Sequence, residues 1–439
     1  MNPKRAANFD INVKKTEYSF RRVAYILGSI AYMFSIFHRV NIAVLVPYIL
    51  ETFKTSASSL GFMSSIYFYI YSFSQPVVGI MVDKLKPRKV LILAVLIMSL
   101  GTFIFAYSPS LPFLYIGRFL IGAGCAGIFI PANWIVNKYF AFEKRGFLFF
   151  LFQFIGNIGS VLAAAPFARL INLFGWKDAL IFIAFTSTAV GFLIWVILRD
   201  NSSKKKEFSL EKENTKDRIK STEEKASWIF ILKKVLSMSI IKYCLITTIA
   251  YGALLSFQGL WVVPYLIDVY KIGKSSASSF VTMIPLGFII GILLFSKLSD
   301  TLYGKYIYFF SNIFIAIIYL SFTIFIQNIP HNFLIFLLFI LGFFNSTTPY
   351  FLKIYSLVLP ERYYGAALGI LNVVPFIVAA IYQSLTGLLF DTFGGSNILY
   401  RSVVSYKIYF LFLTVSLIIT SLAIFKIIKI LKKDYPNMI

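Results

Sequence analysis

The sequence predicts an all-α polytopic membrane protein of twelve transmembrane helices in two pseudo-symmetric six-helix halves. Three observations predict it. The 439 residues are 59% hydrophobic and only 14% charged, whereas soluble domains run near ~45–50% apolar and ~25% charged. The apolar residues fall into runs close to the ~20 residues that cross ~30 Å of hydrocarbon. Short motifs from the first half of the chain recur in the second at nearly one offset. With two Cys (Cys125, Cys244) and two His (His38, His331), a disulfide framework and a metal centre are both excluded as expectations, and no cofactor is expected.

Residues 1–21 are polar and charged and read as a cytoplasmic N-terminal tail. Spans follow at 22–49, 59–82, 90–108, 112–137, 146–168 and 177–198, the first half. Residues 199–234 carry Lys204-Lys205-Lys206 and many Glu without apolar periodicity, the pattern of a flexible linker, with 228–236 a short interfacial helix. The second half, 235–428, holds spans at 239–266, 278–298, 306–326, 332–352, 365–390 and 406–428. Residues 429–439 form the C-terminal tail.

Charge gives the orientation. The tails and alternate loops on one side hold 32 Lys and Arg, and the opposite loops hold 7. That asymmetry places both termini in the cytoplasm. It also accounts for the net charge of +24 by topology, so no nucleic-acid partner is expected. The first apolar run is a full span, too long for the core of a cleaved signal.

The repeat is read from four matches. Pro47-Tyr48-Ile49 recurs as Pro264-Tyr265-Leu266, Ser56-Ala57-Ser58-Ser59 as Ser276-Ala277-Ser278-Ser279, Asp83 as Asp300, and Glu143 as Glu361, all at offsets of 217 to 220. Two parallel six-helix repeats imply a molecule that rocks one half against the other about a midplane site.

Gly79-Ile-Met-Val-Asp83-Lys84 followed by Arg88-Lys89 is similar to the loop signature of the major facilitator superfamily, with Pro87 in place of the usual Gly. Arg118-Phe-Leu-Ile-Gly122-Ala-Gly124-Cys-Ala-Gly127 resembles that family's fourth-helix signature. The chain is thus identified as a resembling member over its whole length. The resemblance implies a secondary active transporter working by alternating access in a plasma membrane, the bacterial inner membrane among them, and not an enzyme. In it Gly79 permits close helix contact, and Asp83 with Arg88, echoed by Asp300, forms a charge lock at a helix end.

No Asp or Glu lies clearly inside a span, which leaves two central cations, Arg39 and Arg118, without acidic partners in their own spans. A buried Arg must face protein or a wet cavity. Arg39 is either a bidentate clamp for a substrate anion or a packing residue bonded to helix carbonyls. Its surroundings, Arg39-Val-Asn41, resemble the first helix of the family's organic-anion and organophosphate transporters, where such an Arg meets the substrate. The repeat puts Ser256 at its counterpart, so the second Arg of an organophosphate exchanger is missing. Arg118 reads as a coupling or structural residue, and His38 as a proton carrier or a packing His. Polar stripes on helical spacing complete the candidate cavity: Tyr67, Tyr71 and Gln75; Gln153, Asn157 and Ser160; Gln258 and Trp261; Asn345; and Asn372. Each is either a cavity residue or an interhelical hydrogen-bonding group.

The function read from these residues is proton-coupled uptake of a small polar or anionic metabolite, an organic acid or an amino acid. Its partners are that small-molecule substrate, a proton as co-substrate and the lipid bilayer, and the chain is expected to be a monomer. The alternatives are a drug or metabolite:proton antiporter working in efflux, and a non-transporting membrane receptor.

Overall fold

Among the described residues the predicted apolar runs fold as helix. The computed structural model describes residues 3–85, 87–140, 142–198, 237–298, 303–348, 350, 354, 358–359, 371, 373–394 and 401–434. Side chains are described from residue 21 onward, except those of 83, 142–143, 146 and 296–297. The first half is α1 (Pro3–Val40), α2 (Ile42–Phe53), α3 (Ala57–Leu85), α4 (Pro87–Ala106), α5 (Leu111–Tyr139), α6 (Phe142–Leu162) and α7 (Ala165–Ile197). The second is α8 (Ser239–Thr247), α9 (Ile249–Ser256), a π-helical turn (Phe257–Trp261), α10 (Val262–Tyr270), α11 (Lys274–Val281), α12 (Met283–Leu298), α13 (Gly304–Ile324), α14 (His331–Asn345), α15 (Val374–Phe393) and α16 (Val403–Asp434).

Among the described residues, ten helices are long and apolar enough to cross a membrane, and Ile42–Phe53, Phe147–Leu162 and His331–Asn345 are shorter apolar helices. Twelve crossings in two halves result. The first is α1 with α2; the seventh runs from α8 to α10 through the π turn. Helix boundaries shift from expectation at both ends of the chain. Helix α1 already starts at Pro3, so the expected tail is continuous with the first span, and α16 runs on to Asp434. The fifth and sixth crossings meet at Gly175, whose φ of 83° and ψ of 160° lie in a region open essentially to Gly alone. The linker at 199–234 lies outside the described residues, as do Asp300 and Asn372.

Two prolines each free a backbone carbonyl, one in the first crossing and one in the seventh. Proline offers no N–H to the carbonyl four residues earlier and its ring crowds that carbonyl. Pro47 thus frees the carbonyl of Ala43, just past the turn at Asn41. Pro264 frees that of Leu260, inside the π turn. The two prolines are repeat partners, and so are the residues that end the two segments. Lys54 (φ 46°) and Lys271 (φ 56°) are the non-glycine residues with positive φ among those described, and each closes its helix in the left-handed conformation. They are 217 positions apart, the offset already legible in the sequence. Pseudo-symmetry therefore reaches down to backbone angles.

Within the first half α4 packs on α5 and α7, and α1 on α6; within the second α12 packs on α14, and α13 on α16. The halves meet where α3 lies along α15, where α11 meets α7, and where α2 and α10 adjoin. The outer surface is studded with exposed Phe73, Phe182, Phe185, Phe192, Leu173 and Leu422, side chains suited to acyl chains. We call the end carrying residues 54–56, 271–273 and 401–402 the sparse end, for its few charges, and the opposite one the basic end.

Candidate substrate-binding site at the junction of the halves

Arg39 lies near the end of α1, just before the interruption at Asn41, and faces the other half. Arg39 is 6% exposed. Its Nη1 donates to Tyr251 Oη on α9 at 3.1 Å. The guanidinium carbon lies 5.4 Å from the centre of the Tyr71 ring on α3 and 5.0 Å from that of Phe376 on α15. Those rings pack on one another: Tyr71 and Phe376 centroids are 4.6 Å apart, Tyr251 and Phe376 5.8 Å. Two nitrogens of Arg39, Nε and Nη2, are buried without a hydrogen-bond partner among the described residues. Desolvated donors of this kind cost free energy unless something accepts from them.

Arg118 occupies the first-half interior, 1% exposed. Its Nη1 donates to the His38 carbonyl at 3.0 Å, and its guanidinium carbon sits 4.8 Å from the Tyr67 ring centre. Tyr67 and Tyr71 stack at 5.9 Å, so the i, i+4 tyrosine pair links the two arginines. The close approach of α5 that this needs is possible because of Gly122, where a Cβ would lie 2.7 Å from the Tyr67 carbonyl oxygen. His38 points away from Arg39, its Nε2 3.3 Å from Thr102 Oγ1 on α4. The structure thus brings together Arg39, Tyr67, Tyr71 and Arg118, while the His38 ring meets Thr102.

The remaining candidates are placed as follows. Gln75 is buried with its Nε2 3.5 Å from the Ala126 carbonyl. Asn157 donates to the Gln153 carbonyl of its own helix at 2.9 Å, and Gln153 keeps a buried Oε1 without a partner among the described residues. Ser256 turns into the second half, within 3.2 Å of Thr386 Oγ1 and 3.3 Å of Tyr409 Oη. Trp261 joins the same network, donating from Nε1 to Thr386 Oγ1 at 2.8 Å. Gln258 is buried in the π turn. Beside it Gly259 adjoins the Arg39 backbone, where a Cβ would make ordinary contact with the Arg39 carbonyl oxygen at 3.5 Å. Asn345 donates to the Leu341 carbonyl of its own helix at 2.8 Å, leaving its buried Oδ1 without a partner among the described residues.

At the basic end, Arg88 Nη2 donates to the Trp195 carbonyl in the last turn of α7, where a cation suits the helix dipole. Gly79 does not mediate the close contact expected of it: among the described residues nothing would lie within 4 Å of a Cβ there. The α3–α15 seam forms instead on the other half of α3, where Gly61 and Gly387 lie. The side chain of Asp83 is outside those described.

Sequence reasoning missed Tyr251 and Phe376. With 48 Phe and 27 Tyr in the chain, no aromatic in a span stands out. Only the crossing of α9 and α15 near Arg39 selects these two. It also missed Asp268, buried at 5% exposure near the end of α10. Its Oδ2 accepts from Tyr406 Oη at 2.8 Å and from the Arg401 main chain and Nη1, each at 3.3 Å. A cavity between α2 and α10 is lined by Glu51, Asp268, Lys274 and Arg401, two charges of each sign, so it has no net preference for an anion.

The Major Facilitator Superfamily model matches residues 28–263 and 244–437, both halves in turn. The chain belongs to that superfamily. Members of that superfamily are membrane transporters, not enzymes. Among curated proteins it is 24% identical over 296 residues to the "Probable sulfoacetate transporter SauU" of Cupriavidus necator, covering 66% of each chain. It is also 24% identical over 312 residues to the "Probable hexose phosphate transport protein" of Chlamydia muridarum, covering 67% of each. The chain spans only about two thirds of the length of these relatives. Among solved structures it resembles a bacterial homolog of the human lysosomal transporter Spinster, inward-facing and unoccupied, with TM-score 0.73 at 15% identity, over 94% of this chain and 98% of that one.

Proposed function

We propose that this transporter takes up a small organic acid by alternating access, with Arg39 as the anchor for the anionic group. The carrying observation is a guanidinium buried at the junction of the halves with two nitrogens unmatched among the described residues. A carboxylate or sulfonate accepts from two such nitrogens at once. Tyr71 and Tyr251 line the head-group site, and Phe376 covers its apolar side. The relatives named for sulfoacetate and hexose phosphate are named for anions, which supports the class. One guanidinium, with Ser256 rather than an Arg at the repeat position, favours a carboxylate or sulfonate over a phosphate dianion. An amino acid would need a counter-charge for its ammonium, and the one buried acid among the described residues, Asp268, is held by Arg401.

Uptake of an anion against an inside-negative potential costs about 2.3 kcal/mol per charge per 100 mV. Proton symport offsets that cost, and we assign the cycle to it, with both termini cytoplasmic in the plasma membrane and one chain, holding both halves, as the working unit. Arg118 tied to the His38 carbonyl serves coupling by holding the first-half helices in register. Arg88 and Asp83 gate the basic end.

Uptake into proteoliposomes of radiolabelled monocarboxylates, sulfonates, sugar phosphates and amino acids, with and without an imposed proton gradient, tests this reading. Gradient-dependent uptake of a carboxylate or sulfonate that is lost in Arg39→Ala is the expected result. Undiminished uptake by that variant refutes the anchor, and uptake indifferent to the gradient refutes the symport.

A further inference from the structure

Helix α3 borrows part of its N-terminal cap from the other half of the molecule. The first N–H groups of a helix have no partner inside it. Ser56 supplies what its own side chain and carbonyl can: Ser59 N–H donates to Ser56 Oγ at 3.1 Å and Leu60 N–H to the Ser56 carbonyl at 3.2 Å. The two donors before them are taken by Asp391 on α15. Ala57 N–H donates to Asp391 Oδ1 and Ser58 N–H to Asp391 Oδ2, each at 2.9 Å. A carboxylate at a helix N-terminus meets both unpaired donors and the positive end of the dipole.

The seam behind this contact fits tightly. A Cβ on Gly61 would lie 2.4 Å from the Gln383 carbonyl oxygen, and one on Gly387 2.5 Å from the Ala57 carbonyl oxygen. Deeper along the same seam Ser384 Oγ donates to Ser65 Oγ at 2.9 Å. Opening the sparse end separates α3 from α15, so every one of these contacts is lost together, and two helix donors pass from a carboxylate to water. The local match of Phe174-Gly175 with Phe393-Gly394 sets Asn172 opposite Asp391, an amide in place of the carboxylate. The α7–α11 junction is held instead by Ala165 N–H donating to Thr282 Oγ1 at 3.1 Å. Among the described residues the carboxylate clasp is on the α3–α15 seam.

We propose that Asp391 is the positioning residue that latches the sparse end shut, setting the balance between the two open states of the transport cycle. This rests on the alternating access of the proposed function and adds the group that biases it. Asp391 touches no substrate in this scheme; it acts through the α3 N-terminus.

The test reads conformation directly. Ser384→Cys places a thiol in the seam of a chain whose own Cys125 and Cys244 are buried. Its labelling by a membrane-impermeant maleimide applied at the sparse face is followed in proteoliposomes. In the otherwise unchanged Ser384→Cys protein labelling is slow. Adding Asp391→Asn is expected to speed it about tenfold, the scale of one charge-assisted hydrogen bond. Asp391→Glu is expected to return it towards the parent rate. Gly61→Ala, which leaves Asp391 untouched but cannot close the seam, is expected to label fast as well and shows that the thiol reports opening. Fast labelling in Gly61→Ala with parent-rate labelling in Asp391→Asn overturns the latch. So does equally fast labelling in Asn and Glu variants, which marks general loosening. Because labelling needs no substrate, a failure to find transported anions would sink the substrate reading and leave this test intact.

Discussion

Arg39 in the first half and Tyr251 in the second are joined by a 3.1 Å hydrogen bond from Nη1 to the phenol oxygen. The bond ties the candidate anion anchor to the helix that must move relative to it when the halves rock. Tyr251→Phe removes the acceptor and leaves a third guanidinium nitrogen free. Its expected effect is a KM change of about threefold to tenfold with the fold intact, the range of one hydrogen bond. Concentration-dependent uptake measures it, and a change in neither KM nor maximal rate would contradict the placement.

Arg39→Lys keeps the charge but not the fork. Since a Lys ammonium cannot grip a carboxylate bidentately, uptake is expected to fall by at least about tenfold while the protein remains folded. Uptake assays beside a thermal-stability measurement in detergent separate the two effects.

Two ion pairs near the sparse end should behave oppositely. Lys274 and Glu51 meet at 2.5 Å across the halves with side chains 33% and 57% exposed. Asp268 and Arg401 meet at 3.3 Å with side chains 3% and 5% exposed. Lys274→Ala is expected to change unfolding stability by no more than about 1 kcal/mol. Asp268→Ala strands a buried guanidinium and is expected to cost about 3–5 kcal/mol. Thermal unfolding of the purified variants distinguishes them, and equal effects would refute the burial argument.

Trp261 is fixed by its indole N–H on Thr386 and by Phe390, 4.5 Å away between ring centres. Trp261→Phe keeps one aromatic ring but drops the donor and part of the indole at a fully buried site, with an expected loss of about 1–3 kcal/mol. A larger loss would mean that the π turn itself depends on this bond, which amide hydrogen exchange over 257–261 reports.

Much of this molecule could be read before folding. The spans, their loops and the repeat follow from apolar run length and from motifs as plain as Pro47 and Pro264. Arg39 and Arg118 were conspicuous because charge is costly in hydrocarbon, so each had to have a purpose. Their surroundings were not legible. Tyr251, Phe376, Asp268 and Arg401 are ordinary residues of crowded helices until the bundle closes. Gly79, picked out by its motif, has open space on its side of α3, and the glycines that do set a helix contact between the halves are Gly61 and Gly387.

The sequence by itself determined what lies along one helix: where the apolar runs fall, which donors proline removes, and how the second half copies the first. Those are short-range matters, fixed by neighbours a few residues away. Only the tertiary structure decided what faces what: that Asp391 caps a helix more than three hundred positions earlier, and that Arg39 meets Tyr251. Helices in an apolar medium pack by shape and by scattered polar contacts. Such contacts leave no periodic trace in the chain, because they depend on the rotation and depth of two helices at once.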